Sequence, residues 1–163
     1  MINIREYQSS DWASLWPILH RAIAAGDTFA WDPQSTEVEV REAWIDEPEA
    51  TFVACMDERV VGCYFIKPNQ PALGAHVCNG GYCVDPEVRG RGIAALMCEH
   101  SQQQAKSRGF RAMQFNFVIA SNEPAVHLWQ KLGFQIVGRL PGAYRHTRLG
   151  YVDALVMFKA LVA

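Results

Sequence analysis

The fold of this chain follows from Val84-Asp85-Pro86-Glu87-Val88-Arg89-Gly90-Arg91-Gly92-Ile93-Ala94, where an extended apolar segment ends and a helix begins. Asp85-Pro86 is a turn signal, because proline removes a backbone donor and restricts the residue before it. Ile93, Leu96 and Met97 then recur at helical spacing. The Arg-Gly-Arg-Gly run therefore lies at the N-terminus of a helix.

This bend has the features of an anion site. At a helix N-terminus several backbone amides are unpaired, and the helix dipole adds partial positive charge. Gly90 and Gly92 lack Cβ, so that a phosphate oxygen can approach the main chain, while Arg89 and Arg91 bring charge to the rim. We predict a phosphate or pyrophosphate site. The alternative is a solvated basic turn that uses its glycines only for tightness.

Length and composition indicate one domain over residues 1–163 with a substantial core, since half of the 163 residues are hydrophobic. The net charge of -2 and a pI near 6.2 argue against a general binder of nucleic acids or membrane surfaces. The N-terminus shows no basic leader followed by an apolar core, and no window reaches membrane-spanning length. We expect a soluble, cytoplasmic protein whose anion site is local.

The cysteines are odd in number and form no CxxC pair, and most of them lie in apolar runs. They are predicted to be reduced core residues rather than disulfide partners or metal ligands, and no metal site is expected. Cys78 and Cys83 fall near the proposed anion site. A cysteine nucleophile is therefore a less favoured alternative, because no His and Asn or Asp partners stand out.

Hydrophobic periodicity predicts the order β-α-α-β-β-β-α-β-α-β-β, an α/β arrangement with a mixed sheet and helices on both sides. A loop over 26–33 carries Phe29 and Trp31, which either line a pocket or pack under the loop. The predicted helices cover 12–25, 35–46, a segment from 93 to about 108, and one that begins after the cap Ser121-Asn122. The predicted strands cover 2–7, 51–56, 60–66, 75–84, 113–119, 135–137 and 152–158, with a basic loop over 138–150.

Two motifs in this order resemble the GNAT family, the acetyl-CoA-dependent N-acetyltransferases. The pyrophosphate signature Arg/Gln-x-x-Gly-x-Gly/Ala is matched by Arg89, Gly92 and Ala94. The later signature is matched by Asn122, Ala125, Leu128, Lys131, Gly133 and Phe134. The resemblance implies a mostly antiparallel sheet of about seven strands that is splayed between the fourth and fifth. It also implies acetyl-CoA as cofactor and a small-molecule amine as partner, and a homodimer is common in the family.

The resemblance places the cofactor between strands that separate near 82–84 and 115–119. There the backbone N–H of Cys83 or Val84 is expected to hold the thioester carbonyl. The pyrophosphate is expected at Arg89, Gly90, Arg91, Gly92, Ile93 and Ala94, with Asn122 and Trp129 as further cofactor contacts.

The segments 76–81 and 115–118 resemble fungal acetyltransferases that detoxify proline analogues such as azetidine-2-carboxylate. This closer resemblance implies a substrate-orienting role for Asn79 and substrate or cofactor contacts for Asn116 and Asn122. Asparagine is disfavoured in strands, and a buried amide must be satisfied, so a structural explanation of Asn79 and Asn116 is harder. We expect catalytic roles for these three asparagines, and Phe29 and Trp31 beside the substrate.

Trp129 stands where most family members have Tyr, their usual general acid, and an indole N–H donates a hydrogen bond but does not surrender its proton. A thiol has a pKa of about 8.5, so an unassisted thiolate near neutral pH costs only roughly 2 kcal/mol. A dedicated acid is therefore dispensable. Tyr144 or Tyr151 is an alternative acid, although aromatic packing is favoured for both. The general base is left open between His76 and a water held by Asn79.

We expect direct acetyl transfer, in a ternary complex, to the amine of an amino acid or analogue. Two alternatives are a catalytically inactive acyl-CoA-binding regulatory domain, which Trp129 motivates, and a peptide or protein N-terminal acetyltransferase. The latter needs an open groove, whereas Phe29, Trp31 and the basic loop favour a small closed pocket. The basic loop itself is interpreted as a site for a substrate carboxylate or the cofactor 3′-phosphate, or as a solvated loop that balances the acidic second helix.

Overall fold

A computed structural model describes all residues from 1 to 163 and contains one seven-stranded sheet. The strands lie in the spatial order β1-β2-β3-β4-β5-β7-β6, and every neighbouring pair is antiparallel except β4 and β5. The mixed, mostly antiparallel sheet is thereby confirmed. The strands are β1 Ile2–Glu6, β2 Ala50–Met56, β3 Arg59–Pro68, β4 Val77–Val84, β5 Ala112–Ile119, β6 Gln135–His146 and β7 Gly150–Ala160.

Four α-helices flank the sheet: α1 Trp12–Ala25, α2 Glu37–Arg41, α3 Ile93–Ser107 and α4 Glu123–Lys131. The first ends as predicted at Gly26, which has the left-handed φ of 65°. The second is a short α-helix capped by Thr36 that continues as a π-helical turn over Glu42–Asp46. Val40 and Trp44 are both buried and lie four residues apart, so this segment presents one apolar edge to the core.

Two hydrophobic cores hold the helices on opposite faces of the sheet. Tyr64 and Ile66 of β3 belong to the larger core, which also contains Met97 of α3. Cys63 of the same strand belongs to the smaller core, which contains Leu19 of α1. Because successive side chains of a strand point to opposite faces, β3 is buried on both sides and lies at the centre of the molecule.

The sheet splits between β4 and β5. These parallel strands are paired only at Val77 with Ala112 and at Cys78 with Met113, and they separate beyond that point. Asn79 lies one residue past the last pair, and its Nδ2 donates to the Gln114 carbonyl at 2.9 Å. The side chain thus satisfies a backbone acceptor where the ladder ends. The expected separation of the fourth and fifth strands is confirmed.

The predicted basic loop over 138–150 is wrong. This segment continues β6 as far as His146, which pairs with Gly150 of β7, and only 147–149 form the turn. The ladder shifts register between Ile136 and Gly138 and again between Leu140 and Tyr144. Glycine and proline, which signalled a loop, are accommodated because residues in a bulge need no ladder hydrogen bond.

The tip of the β6–β7 hairpin holds the loop that follows α1. The Thr147 hydroxyl lies 3.2 Å from the carbonyls of Ala25 and Gly26, and the Tyr144 hydroxyl donates to the Phe29 carbonyl at 3.0 Å. A Cβ built on Gly26 would clash with Cγ2 of Thr147. The hairpin therefore fixes the position of the loop over 26–33, which carries Phe29 and Trp31 and is called the aromatic loop below.

Replacing Gly26 by alanine should destabilise the protein more than a matched glycine replacement does. Gly109 has a φ of 89° and open space around a Cβ, so Gly109→Ala should cost about 1–2 kcal/mol for the left-handed backbone alone. Gly26→Ala adds the collision with Thr147, worth about 1–3 kcal/mol more. Urea unfolding measures both losses.

Thr147→Ser removes the colliding methyl group and keeps the hydroxyl, so it should return the cost of Gly26→Ala to the Gly109→Ala level. Equal losses for Gly26→Ala and Gly109→Ala in the wild-type background would contradict the close contact.

Candidate active site

A cleft of about 570 Å³ occupies the split between β4 and β5 and extends under the loop after α1. It brings together the predicted substrate residues Phe29 and Trp31 with all three predicted asparagines and with Trp129. It also includes residues that the sequence did not single out. The lining contains Phe29, Trp31, Asp32, Glu39, Trp44, Phe65, Lys67, Asn79, Tyr82, Phe115, Asn116, Phe117, Asn122 and Trp129.

The predicted anion site lies after the end of β4, where the main chain has a run of unpaired donors. No backbone N–H from Arg89 to Ala95 donates within the protein, and the first bond of α3 runs from Leu96 N to the Gly92 carbonyl at 3.1 Å. Arg89 and Arg91 are exposed, and neither forms an ion pair. Free amides, the dipole of a fifteen-residue helix and two arginines converge on one place.

The two glycines of this bend have left-handed backbone conformations, with φ of 79° at Gly90 and 74° at Gly92. A Cβ at either position would meet no atom within 4 Å. The protein therefore leaves free space directly above the unpaired amides. Glycine is favoured here by the left-handed backbone angle and by any ligand that fills the free space, and not by a contact within the protein.

Asp85 anchors the start of the bend. Its carboxylate, 2% exposed, accepts from Arg59 at 2.7 Å and from Arg21 at 3.3 Å. It also accepts from the backbone N–H of Glu87 at 3.0 Å, which caps the 3-10 turn Pro86–Val88. In the sequence, Asp85 indicates only a turn before Pro86. The structure adds a buried, fully paired carboxylate that holds the bend in place.

The two backbone donors predicted for the thioester carbonyl, Cys83 and Val84, point in opposite directions. At the two ends of the β3–β4 ladder, Asp85 N donates to the Val61 carbonyl at 2.8 Å and Asn69 N to the Val77 carbonyl at 2.8 Å. Every second residue of an antiparallel strand is hydrogen-bonded to the same neighbour, so Cys83, two residues before Asp85, also has its main chain towards β3. The main chain of Val84 faces the split, and Val84 is the better placed donor of the two.

The cysteine thiols near the split are poor nucleophiles. Burial raises the pKa of Cys78 and the pKa of Cys83 to about 12, far above neutral pH. Because the thiolate is the reactive form, both side chains are inert as nucleophiles under ordinary conditions. All five cysteines are buried free thiols.

The three asparagines differ in how far the protein already uses their amides. Asn79 donates to Gln114 and keeps its Oδ1 free of protein partners. Asn116 is exposed, donates to Asn69 Oδ1 at 2.7 Å and accepts from the Gln114 amide at 3.0 Å. Asn122 precedes α4, and its side chain makes no capping bond to that helix. The amide of Asn122 is therefore the most available to a ligand in the cleft.

Trp129 acts as a spacer below the split. Its ring lies 5.1 Å from the ring of Tyr82 on β4 and 5.0 Å from the ring of Phe115 on β5, measured between centroids. The Tyr82 and Phe115 rings meet edge to face at 5.7 Å. Three aromatic rings from β4, β5 and α4 thus fill the space beneath the separated strands.

The acids and base considered from the sequence, Tyr144, Tyr151 and His76, are not placed to act on a ligand, and neither is the Tyr82 phenol. Tyr82 bonds to Ser101 at 2.6 Å, and burial raises the pKa of its phenol well above the ordinary value. Tyr144 is bonded to the aromatic loop, and Tyr151 is 74% exposed on the hairpin. His76 lies exposed in the turn before β4, outside the cleft.

Three charged residues of the cleft were missed. Glu39 and Lys67 form no ion pair, while the Asp32 carboxylate accepts from the backbone N–H of Gln34 at 2.8 Å. The sequence does contain a signal for Lys67, because a charged residue at the end of an apolar strand, two residues after Phe65, indicates a candidate binding residue. Glu39 had none, since it belongs to an acidic helix with the composition of a solvated surface.

The basic segment over 139–148 does not act as a unit. Arg139 is bound to Asp153 at 2.7 Å, and Arg148 faces Asp27 at 3.8 Å. Arg145 and His146 line a second cavity of about 640 Å³ that adjoins the cleft behind Trp31. The three arginines are therefore divided between the hairpin, the loop and this cavity.

Comparison with known proteins defines the class. The profile described as Acetyltransferase (GNAT) family matches residues 8–134. The structure of a GCN5-related N-acetyltransferase from Kribbella flavida superimposes with a TM-score of 0.93 and 36% sequence identity. The match covers 98% of this chain and 97% of that protein's chain. The chain belongs to the GNAT family of acetyltransferases, enzymes that use acetyl-CoA as the acetyl donor.

Two curated relatives are similar over part of their length. N-acetyltransferase aca1 of Schizosaccharomyces pombe is 37% identical over 98 residues, 60% of this chain and 47% of that protein. L-amino acid N-acetyltransferase AaaT of Escherichia coli is 36% identical over 108 residues, 65% of each. The chain thus matches between about half and two thirds of these relatives.

The residues present fit acetyl-CoA. The unpaired amides from Arg89 to Ala95, with open space above Gly90 and Gly92, suit its pyrophosphate. The free amide of Asn122 and the inward-facing main chain of Val84 lie along the split that would receive its thioester arm. No three His, Cys, Asp or Glu side chains are grouped to hold a metal ion. No helix is long and apolar enough to cross a membrane.

Replacing Gly92 by alanine should weaken acetyl-CoA binding without an equal effect on stability. The added methyl group would occupy the open space above the amides, so the dissociation constant should rise by about tenfold or more. Gly150→Ala is the matched control, because Gly150 has a φ of 77° and equally open surroundings but lies in the hairpin.

Both variants should lose similar free energy of unfolding, and only Gly92→Ala should lose affinity in calorimetric titration with acetyl-CoA. Unchanged affinity in Gly92→Ala would remove the bend from the cofactor site.

Proposed function

We propose that this protein transfers the acetyl group of acetyl-CoA to the amine of a small amino acid or amino-acid analogue, by direct attack while both are bound. The observation that carries this proposal is the cleft beside the cofactor site, whose lining includes aromatic side chains and the exposed, unpaired Glu39. Such a group attracts a protonated amine and can then remove its proton. The L-amino acid N-acetyltransferase of Escherichia coli, which this chain resembles in part, adds support.

The cofactor is held mainly by the main chain. Amides from Arg89 to Ala95 would bind the pyrophosphate, and Arg89 and Arg91 would balance its charge. Val84 N–H would donate to the acyl oxygen in the split. When bound, acetyl-CoA supplies a thioester whose carbonyl carbon accepts an amine.

Glu39 is the proposed proton acceptor. The amine of an amino acid is largely protonated near neutral pH and must lose a proton before it attacks. Asp32 also reaches the cleft, but its carboxylate is committed to the turn at Gln34. The Glu39 carboxylate has no such partner. The hydrogen bonds of this residue are made by its backbone, whose N–H donates to Thr36 Oγ1 at 3.2 Å and whose carbonyl accepts from the N–H of Glu42.

The leaving sulfur needs donors rather than an acid. Asn122 and the indole N–H of Trp129 can each donate a hydrogen bond into the split, and neither gives up a proton. A thiol of ordinary pKa, about 8.5, forms a thiolate near neutral pH at a cost of roughly 2 kcal/mol, which such donors can largely offset. This accounts for a tryptophan in place of the usual tyrosine without a loss of function.

The acceptor end of the cleft is walled by aromatic rings. Trp44 meets the edge of Phe29 at 5.7 Å and that of Phe65 at 4.9 Å between centroids. The hairpin bonds to the aromatic loop keep this wall in place, which disfavours a long peptide. Asn79, with its Oδ1 free, would orient the acceptor, and Asn116 would contact it at the rim. Proline analogues are compact secondary amines, so they are also suitable acceptors for a pocket of this kind.

A panel assay tests the proposal. The purified protein is incubated with acetyl-CoA and each proteinogenic amino acid, azetidine-2-carboxylate or a short peptide. Thiol release is then measured together with the mass of the product. We expect N-acetylated amino acids. Tight acetyl-CoA binding with no thiol release for any acceptor would instead indicate a binding domain, and a strong preference for peptides would indicate an N-terminal acetyltransferase.

Glu39→Gln should lower kcat/KM for the best acceptor by about a hundredfold near neutral pH, because the amide cannot take the proton. The deficit should shrink as the pH rises, since the free amine then forms without assistance. Glu42→Gln is the control, because Glu42 lies on the following turn outside the cleft.

Rate profiles against pH for the three proteins provide the measurement. A Glu39→Gln variant with the wild-type profile would exclude Glu39 as the base.

A further inference from the structure

Lys67 is an unpaired cation inside the acceptor cleft. It lies half-buried near the end of β3, and its Nζ is 5.7 Å from the centroid of the Phe65 ring. The other partly buried cations have partners: Lys159 donates to Gln102 and to the Leu132 carbonyl, and Arg5 is bound to Asp11. The ammonium of Lys67 has no carboxylate partner within the protein, so it is free to pair with the anionic group of a ligand in the cleft.

The position of Lys67 relates it to the acceptor rather than to the cofactor phosphates. Its Cα partner across the sheet is Asn79, so the two side chains share a face next to the split. The anion-binding bend begins beyond Val84, five residues further along β4, which is about 16 Å at strand spacing. Lys67 is therefore too distant to serve the pyrophosphate.

The cleft carries opposite charges that the protein keeps apart. Lys67 comes from β3 and Glu39 from α2 above the sheet, and no ion pair joins them although both line the same space. Aromatic rings of Phe29, Trp44 and Phe65 lie among the same lining residues. A cation and an anion separated in a partly apolar cleft are complementary to a small zwitterion.

We propose that Lys67 binds the α-carboxylate of the acceptor and makes the enzyme select amino acids over amines that lack a carboxylate. This inference rests on the proposed acetyl transfer and names the group that determines its substrate class. The ammonium of Lys67 is held over the Phe65 ring, which orients it without neutralising it. The amine is bonded to the same carbon atom as the carboxylate, so binding the carboxylate at Lys67 also fixes the amine, on the side of the cleft towards Glu39.

The test compares acceptors that differ only in the carboxylate. Each amino acid that the wild type acetylates is paired with its carboxamide and with the corresponding amine that lacks the carboxyl group. A carboxylate favours the protonated amine, so the carboxamide has the more readily deprotonated amine. A preference for the acid over the carboxamide therefore cannot come from a larger fraction of free amine, which makes the carboxamide the decisive comparison. We expect the wild type to prefer the acid by about tenfold or more in kcat/KM.

Lys67→Met should lower kcat/KM for the acid by about ten- to a hundredfold, mainly through KM, and leave the carboxamide and the amine unchanged. Lys67→Arg should keep most of the preference. Lys106→Met, on the exposed end of α3, is the control for loss of one positive charge. The acetyl-CoA dissociation constant should be the same in all four proteins, which a general structural defect would not allow.

Failures of the two proposals are distinguishable. If the wild type acetylates acids, carboxamides and amines equally, or if Lys67→Met weakens all three alike, acetyl transfer stands and the carboxylate site is overturned. If no acceptor is acetylated, the proposed function fails, and calorimetric titration with the amino acids decides the site. Binding that requires Lys67 supports it, and absence of binding to the wild type overturns it.

Discussion

The site depends on the early end of the hydrogen-bond ladder between β4 and β5. Two paired positions join the strands, and beyond them each strand presents backbone groups that have no partner in the sheet. Unpaired backbone groups are tolerated only where a ligand, water or a side chain can satisfy them. Asn79 does so for Gln114, the first acceptor past the last pair. The remaining groups border the cleft, so the place where the ladder ends is also the proposed binding surface.

Packing keeps the strands apart. Tyr82, Phe115 and Trp129 place three rings beneath the split, and the β5–β7 ladder shifts register between Phe115 and Val118. A bulge bends a strand, and this one lies in the part of β5 that is separated from β4. Trp129 therefore has a structural use that is independent of proton transfer. The tryptophan also carries an indole N–H at this position, a donor that is not ionisable.

The sequence predicted what local chemistry determines, and it failed where distant segments meet. The bend from Arg89 to Ala94 could be interpreted because turn, glycines and helix start are adjacent in the chain. The order of all eleven elements followed from periodicity. The extension of β6 was missed because its glycine and proline signal a loop unless the partner β7 is known. Glu39 and Lys67 were missed because their charges matter only once α2 and β3 face the same cleft.

The proposed cofactor end of the site consists of backbone amides, whereas the proposed acceptor end consists of side chains. The two ends therefore differ in which amino-acid substitutions they tolerate. The cofactor end uses backbone amides whose positions depend on glycine conformations and on the buried Asp85, so few substitutions there preserve the geometry. The acceptor end uses side chains from β3, α2 and the loop after α1, which can be exchanged without altering the main chain. Under the proposed mechanism, such an arrangement would keep one acetyl donor while the charges at positions 39 and 67 determine which amine is accepted. The selectivity of this enzyme should therefore be sought in Glu39 and Lys67 rather than in the motifs that identify its family.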